Sequence, residues 1–198
     1  MTRSAIAFLL LLLAASPALA FDANQTFAKG NTVLSIEAGA GHQDNLEGHS
    51  IQTGLDLWYV GMRYSLLPLE PTGPGILRGA LEVGLEPIYQ QYTGPTSRYY
   101  AGLMAQGRWH FLSLGRFVPY LEGGAAAGMT NLRVIEIDSD FAFLLNFGAG
   151  ASFFVTDRLA VYAGYRMIHV SNGNADTPNR GFEAHTGLLG VSYYFGKK

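Results

Sequence analysis

The segment from Tyr165 to Glu183 holds the side chains best suited to chemistry. His169 and Ser171 are two residues apart, and Glu183 follows after a stretch rich in Asn and Gly. A serine hydroxyl is a weak nucleophile at neutral pH and needs a base to remove its proton, and that base needs a carboxylate to hold its tautomer. These residues therefore meet the needs of a serine esterase. A purely polar pair at the rim of a sheet would show the same spacing.

The elements that must position these side chains are two neighbouring strands. Apolar residues alternate over Leu159–Ser171 and again over Glu183–Phe195. Residues two apart in a strand point to the same face, so His169 and Ser171 are expected to share one. A hairpin between the two strands can return Glu183 beside them.

The same two-residue period recurs along the chain and predicts an all-β fold of eight strands. The even number and the length of most of the segments are typical of an eight-stranded antiparallel transmembrane β-barrel of the outer membrane. The predicted strands are Thr32–Gly41, Ile51–Ser65, Leu77–Tyr89, Arg98–Phe111, Val118–Thr130, Phe141–Phe154, Leu159–Ser171 and Glu183–Phe195. Weaker alternation around Asp56–Trp58 and Gly123–Gly128 predicts a bulge or a slipped boundary in the second and fifth strands.

The kind of residue on each face decides between a soluble and a membrane barrel. In the third strand Leu81, Val83 and Leu85 share one face, while Glu82 and Glu86 share the other. A membrane barrel turns its apolar face to lipid and its polar face inward. The side chains predicted to point inward are nearly charge-balanced. They are expected to fill the narrow barrel, so that no open pore remains. These side chains are Glu37, Glu82, Glu86, Glu122, Arg78, Arg108 and Arg166.

The three candidate residues fall on the apolar, lipid-facing side of this barrel. His169 and Ser171 share their face with Val161 and Tyr165, and Glu183 shares its face with Leu189. Ionisable side chains on a lipid-facing surface are costly and indicate function. Their predicted place at the outer end of the barrel fits an amphiphile of the outer leaflet, which carries lipopolysaccharide.

Composition limits the remaining classes of function. The chain has 198 residues, no Cys and a formal charge of −2, so neither disulfides nor bulk attraction to nucleic acid is expected. Arg3, an apolar run and Ala18-Leu19-Ala20 predict a secretory signal peptide over residues 1–20, with residues 21–198 as a single barrel domain. Export to the outer membrane of a Gram-negative cell follows from these predictions.

The residues of the last hairpin also resemble a known family. His169-x-Ser171-Asn172, with Asn179 and Glu183, is similar to the outer-membrane lipid A 3-O-deacylases of the PagL type. The resemblance implies hydrolysis of the acyl ester at the 3-position of lipid A, with no metal or other cofactor. It also implies that Ser171 is the nucleophile, His169 the base, Glu183 the orienting acid and Asn179 part of the oxyanion hole.

Three residues of the last loop are candidates for stabilising the oxyanion. Asn172, Gly173 and Asn179 carry amide donors of the kind that stabilise developing negative charge. For Asn172 and Gly173, ordinary turn chemistry is an equal explanation. His185 shares the outward face of Glu183 and is interpreted either as an interfacial side chain or as a contact for a sugar or phosphate.

Several alternatives to the deacylase remain open at this stage. The same site would serve a phospholipase or an acyltransferase. A non-enzymatic adhesin or structural barrel would act through its outer loops, and a lipocalin-like binder would need its apolar faces to point inward. The expected partners are lipid A and the membrane, and the sequence is compatible with a monomer and with a homodimer.

Overall fold

The computed structural model describes residues 21–46 and 51–196, and the predicted signal peptide lies outside them. After a short helix α1 (Ala23–Thr26), the chain forms eight strands. They are β1 (Thr32–Gln43), β2 (Asp56–Leu66), β3 (Gly79–Gly94), β4 (Arg98–Phe111), β5 (Phe117–Thr130), β6 (Phe141–Phe154), β7 (Leu159–Ser171) and β8 (Phe182–Phe195).

The strands close into a barrel. Each strand pairs antiparallel with the next, and β1 pairs with β8 over the register Thr32↔Phe195 to Gln43↔Ala184. The predicted eight-stranded antiparallel barrel is therefore confirmed. None of the helices in the described residues is long and apolar enough to cross a membrane.

Two strands start more than one residue from the predicted position. β2 begins at Asp56 rather than Ile51, and β3 begins at Gly79 rather than Leu77. Leu77 instead ends a 3-10 turn, Gly75–Leu77. The connection before this turn carries three prolines, which lack the N–H that a strand ladder needs. They are Pro68, Pro71 and Pro74.

One of the two predicted irregularities is present. The register between β2 and β3 shifts between Asp56 and Leu57, as expected. The prediction for β5 was wrong, because β4 and β5 pair without a shift from Tyr100↔Thr130 to His110↔Tyr120. Small residues at 123–128 weaken the alternation of side chains without disturbing the backbone ladder.

Large apolar side chains cover the outside of the barrel, as predicted. Along β6, Phe143, Leu145 and Phe147 are exposed while Ala142 and Leu144 are buried. A soluble barrel would bury its large residues inside, so this orientation indicates a wall that contacts lipid.

The interior holds a network of buried charges in addition to two clusters of buried apolar side chains. Arg166 contacts Glu37 at 2.6 Å and Glu122 at 2.9 Å, and Arg108 contacts Glu122 at 2.8 Å. The network also holds Arg63, Glu82, Glu86 and His110. Buried charges of one sign are costly without partners, so the opposite charges stabilise each other and occupy the lumen.

One assignment to this interior was wrong. Arg78 precedes β3 and hydrogen-bonds the Asn24 side chain at the end of the barrel that carries the termini. Its place is taken by Arg63 of β2, which contacts Glu82 at 3.2 Å and Glu86 at 3.0 Å. Because β3 starts two residues later than predicted, Arg78 leaves the alternating pattern.

The connections at the end away from the termini surround the candidate site. We name them L1 (described residues 44–46 and 51–55), L2 (residues 95–97), L3 (residues 131–140) and L4 (residues 172–181). L3 folds inward, since its Ile137 is fully buried and forms an isolated bridge with Asn179 of L4. The Arg133 guanidinium of L3 donates a hydrogen bond to Asp140, and this bond raises the pKa of the guanidinium.

Candidate active site

The pairing of β7 with β8 brings His169 and Glu183 together. The two residues are direct partners in the ladder, and His169 Nδ1 lies 2.7 Å from Glu183 Oε1. An ionised carboxylate only accepts hydrogen bonds, so Nδ1 donates and Nε2 of the neutral ring is left to act as a base. Both side chains are only partly buried, and both lie on the outward face of the barrel.

Ser171 is placed on the same outward face, as the last residue of β7. Its partner on β6 is Phe143, and the partner of His169 is Leu145, so apolar side chains flank both residues. The Ser171 hydroxyl makes no hydrogen bond to a described residue. Among the described residues, the predicted hydrogen bond between Ser171 and His169 is therefore not formed, and such bonds commonly tighten only when substrate is bound.

Residues of L1 form hydrogen bonds with Glu183 on the side away from His169. The Leu46 N–H donates to Glu183 Oε2 at 3.2 Å, and the Glu183 N–H donates to Asn45 Oδ1 at 3.2 Å. The Asp44 N–H donates to the Glu183 carbonyl at 3.1 Å. One carboxylate oxygen therefore faces His169 and the other is bound by L1, which fixes the orientation of the carboxylate.

The three candidate oxyanion residues differ in what they already bind. The Asn172 N–H donates to Asn179 Oδ1 at 2.9 Å, and the buried Asn172 amide donates to the Asp176 carbonyl at 3.0 Å. Asn179 Nδ2 donates to Asn174 Oδ1 at 3.0 Å and keeps a second N–H. The Gly173 N–H makes no hydrogen bond to a described residue. Gly173 and Asn179 thus retain donors, whereas Asn172 shapes the loop.

Gly181 is a site residue that sequence reasoning missed. It adopts φ +68, and an added Cβ would lie 2.9 Å from His169 Cε1 and 3.3 Å from His169 Nε2. Only a residue without a side chain lets the backbone pass this close to the imidazole. The sequence signal was weak, because L4 is rich in turn residues throughout.

A second polar group lies beside the His169–Glu183 pair on the same face. His185 Nδ1 and the Tyr165 hydroxyl are hydrogen-bonded, and their rings stack. His42, the partner of His185 on β1, contacts Asp56 through Nδ1 at 2.7 Å. His185 therefore has a fixed partner within the wall.

Comparison with known proteins decides the family. The family model described as Lipid A 3-O-deacylase (PagL) matches residues 58–192, which include all of β7, L4 and the first part of β8. The chain belongs to the PagL family of lipid A 3-O-deacylases. Family membership and the barrel together place the protein in the outer membrane of a Gram-negative bacterium.

Solved structures show the same fold. The crystal structure of the outer membrane enzyme PagL superposes with a TM-score of 0.61 at 17% identity, covering 79% of this chain and 97% of that one. Neisserial surface protein A (NspA) superposes with a TM-score of 0.50 at 17% identity, covering 85% of this chain and 100% of that one. No curated protein sequence matches the chain.

Proposed function

We propose that this protein hydrolyses the ester that links an acyl chain to the 3-position of lipid A. The observation that carries the proposal is the hydrogen-bonded pair of His169 and Glu183, beside Ser171, on the lipid-facing surface of the wall. An amphiphile in the outer leaflet would present its ester at this surface without entering the barrel. Membership of the deacylase family supports the choice of lipid A as substrate.

The reaction would proceed in two half-reactions. In the first, His169 Nε2 takes the Ser171 proton while Ser171 Oγ attacks the ester carbonyl. The main-chain N–H of Gly173 and the side-chain amide of Asn179 would stabilise the oxyanion. The bond from the carbonyl to the sugar oxygen then breaks, and the proton on His169 passes to that oxygen.

The second half-reaction releases the acyl chain from Ser171. His169 removes a proton from water, the hydroxide attacks the acyl-enzyme, and Ser171 leaves with the proton returned by His169. Glu183 would hold the tautomer of His169 and stabilise the imidazolium in both halves. The products are a free fatty acid and lipid A with a hydroxyl at the 3-position.

The test is mass spectrometry of lipid A incubated with the protein refolded in detergent. We expect loss of one 3-linked acyl chain and its appearance as free acid. Ser171→Ala and His169→Ala should abolish both signals. Ser113→Ala is the matched control, because Ser113 lies in a turn at the opposite end of the barrel. Unchanged lipid A with a folded wild-type barrel would contradict the proposal.

Parallel incubations separate the alternatives that use the same site. Release of fatty acid from phospholipids, with lipid A untouched, would indicate a phospholipase. Transfer of the acyl chain to an added lipid acceptor would indicate an acyltransferase. The sequence is compatible with a monomer and with a homodimer, and chemical cross-linking in lipid vesicles distinguishes the two.

A further inference from the structure

L3 contributes a carboxylate that the proposed chemistry does not use. Glu136 is fully buried, at 0% exposure. Its Oε1 accepts from Gln43 Nε2 at 2.8 Å and from the Thr53 N–H at 2.8 Å, and its Oε2 accepts from the Thr53 hydroxyl at 2.6 Å. The Arg180 guanidinium reaches only to 4.0 Å. Burial of a carboxylate is costly, so the surrounding donors must hold it firmly.

One path of hydrogen bonds, which we call the first arm, runs from Glu136 to Glu183. Gln43 is fully buried, and its Nε2 donates to Asn45 Oδ1 at 3.2 Å as well as to Glu136. Asn45 Oδ1 in turn accepts from the Glu183 N–H. The hydrogen bonds therefore lead from Glu136 through Gln43 and Asn45 to the residue that orients His169.

A second arm runs through the main chain of L3 to L4. The Glu136 carbonyl accepts from the Arg180 N–H at 2.8 Å and from the Gly181 N–H at 3.2 Å. The next residue, Ile137, forms the bridge with Asn179. Gly181 is the residue that passes over the His169 ring, and Asn179 is a candidate oxyanion donor. A shift of L3 would therefore move both sides of the site.

We propose that Glu136 is a positioning residue for the ester hydrolysis. Its side chain ties L3 to the end of β1 and to L1, and its main chain ties L3 to L4. Through these two arms it sets Glu183 on one side of His169, and Gly181 with Asn179 on the other. The inference rests on the proposed function for its substrate, but the contacts that carry it involve neither Ser171 nor lipid.

The first test is Glu136→Gln in the refolded full chain. We expect kcat on lipid A to fall about 10- to 100-fold with KM changed less than about twofold, since misplacement by about 1 Å costs up to 10² in rate. The rate at which a fluorophosphonate probe labels Ser171 should fall by a similar factor. Asp140→Asn is the matched control, because Asp140 lies on the same loop but its side chain contacts Arg133.

A charge exchange separates positioning from loss of structure. The double variant Q43E/E136Q exchanges the amide and carboxylate of one hydrogen-bonded pair. It should recover part of the labelling rate lost in Glu136→Gln, because a donor again faces an acceptor between β1 and L3. Recovery should be incomplete, since Asn45 Oδ1 loses the Gln43 amide, one of its two donors among the described residues, and keeps only the Glu183 N–H.

Two outcomes would overturn the inference, and a third would separate it from the proposed function. Labelling of Ser171 at the wild-type rate in Glu136→Gln would overturn the inference. The inference would also be overturned if the labelling rate of Glu136→Gln fell only in proportion to the fraction of unfolded barrel. That fraction is measured by the heat-modifiable mobility of the barrel in electrophoresis. If the wild type is labelled but leaves lipid A intact, the proposed function fails, whereas slower labelling of Glu136→Gln would still support the positioning role.

Discussion

His169 and Glu183 face each other across the ladder of β7 and β8, with Nδ1 and Oε1 2.7 Å apart on the side of the wall that contacts lipid. The neighbours of Glu183 on either side, Phe182 and Ala184, are buried. A slip of one residue in the register would therefore turn the carboxylate away from His169. Closure of the barrel, which sets this register, also sets the geometry of the proposed site.

Removing the charge of Glu183 tests its orienting role. We expect Glu183→Gln to lower kcat on lipid A by about 10⁴-fold, as loss of the acid does in other serine hydrolases, because His169 loses the acceptor that holds its tautomer. Release of fatty acid measures the rate. Glu70→Gln is the control, because Glu70 accepts from the Lys29 N–H at the other end of the barrel. A Glu183→Gln variant with full activity would remove Glu183 from the mechanism.

Gly181 offers a test of the close approach to His169. Gly181→Ala should lower kcat about 10-fold or more, because the added methyl group would displace the imidazole. The substitution also strains a residue at φ +68, and Gly115→Ala reproduces that strain at φ +64 with nothing within 4 Å of the added Cβ. Equal activity in the two variants would show that contact with His169 is unimportant.

The buried charge network should govern the stability of the barrel. Arg166→Leu leaves Glu37 and Glu122 with fewer partners and should lower the free energy of unfolding by about 3–5 kcal/mol. Urea titration in phospholipid vesicles measures it. Arg133→Leu removes an arginine that also contacts two carboxylates, but at the surface, and should change stability little. Similar values for the two variants would argue against the network.

A charged side chain in the middle of a lipid-facing strand should destabilise the barrel. Leu189 lies near the middle of β8 and is 70% exposed, so Leu189→Arg should lower the free energy of unfolding in vesicles by about 2–4 kcal/mol. Ile76 is 79% exposed but lies in the turn before β3. Ile76→Arg should therefore leave the stability close to that of the wild type. Tolerance of Leu189→Arg would mean that this face of β8 does not contact the hydrocarbon core.

The sequence by itself determined the barrel and the pair that faces the membrane. Period-two alternation sufficed for eight strands, and for five of them both predicted bounds lie within one residue of those in the structure. The kind of residue on each face was enough to predict that the outer wall of the barrel faces lipid. The spacing of His169, Ser171 and Glu183 sufficed to place them on one hairpin, because both the strand period and the hairpin return are local properties.

The tertiary structure alone decided what supports that pair. Arg63 replaced Arg78 inside the barrel because the start of β3 depends on how the preceding turn packs, which the alternation does not encode. Asn45 contacts Glu183, and Glu136 is linked to it through Gln43, only because β1 closes onto β8 and L3 folds inward. Such contacts join residues far apart in the chain through loops without a period, so no local pattern in the sequence reveals them.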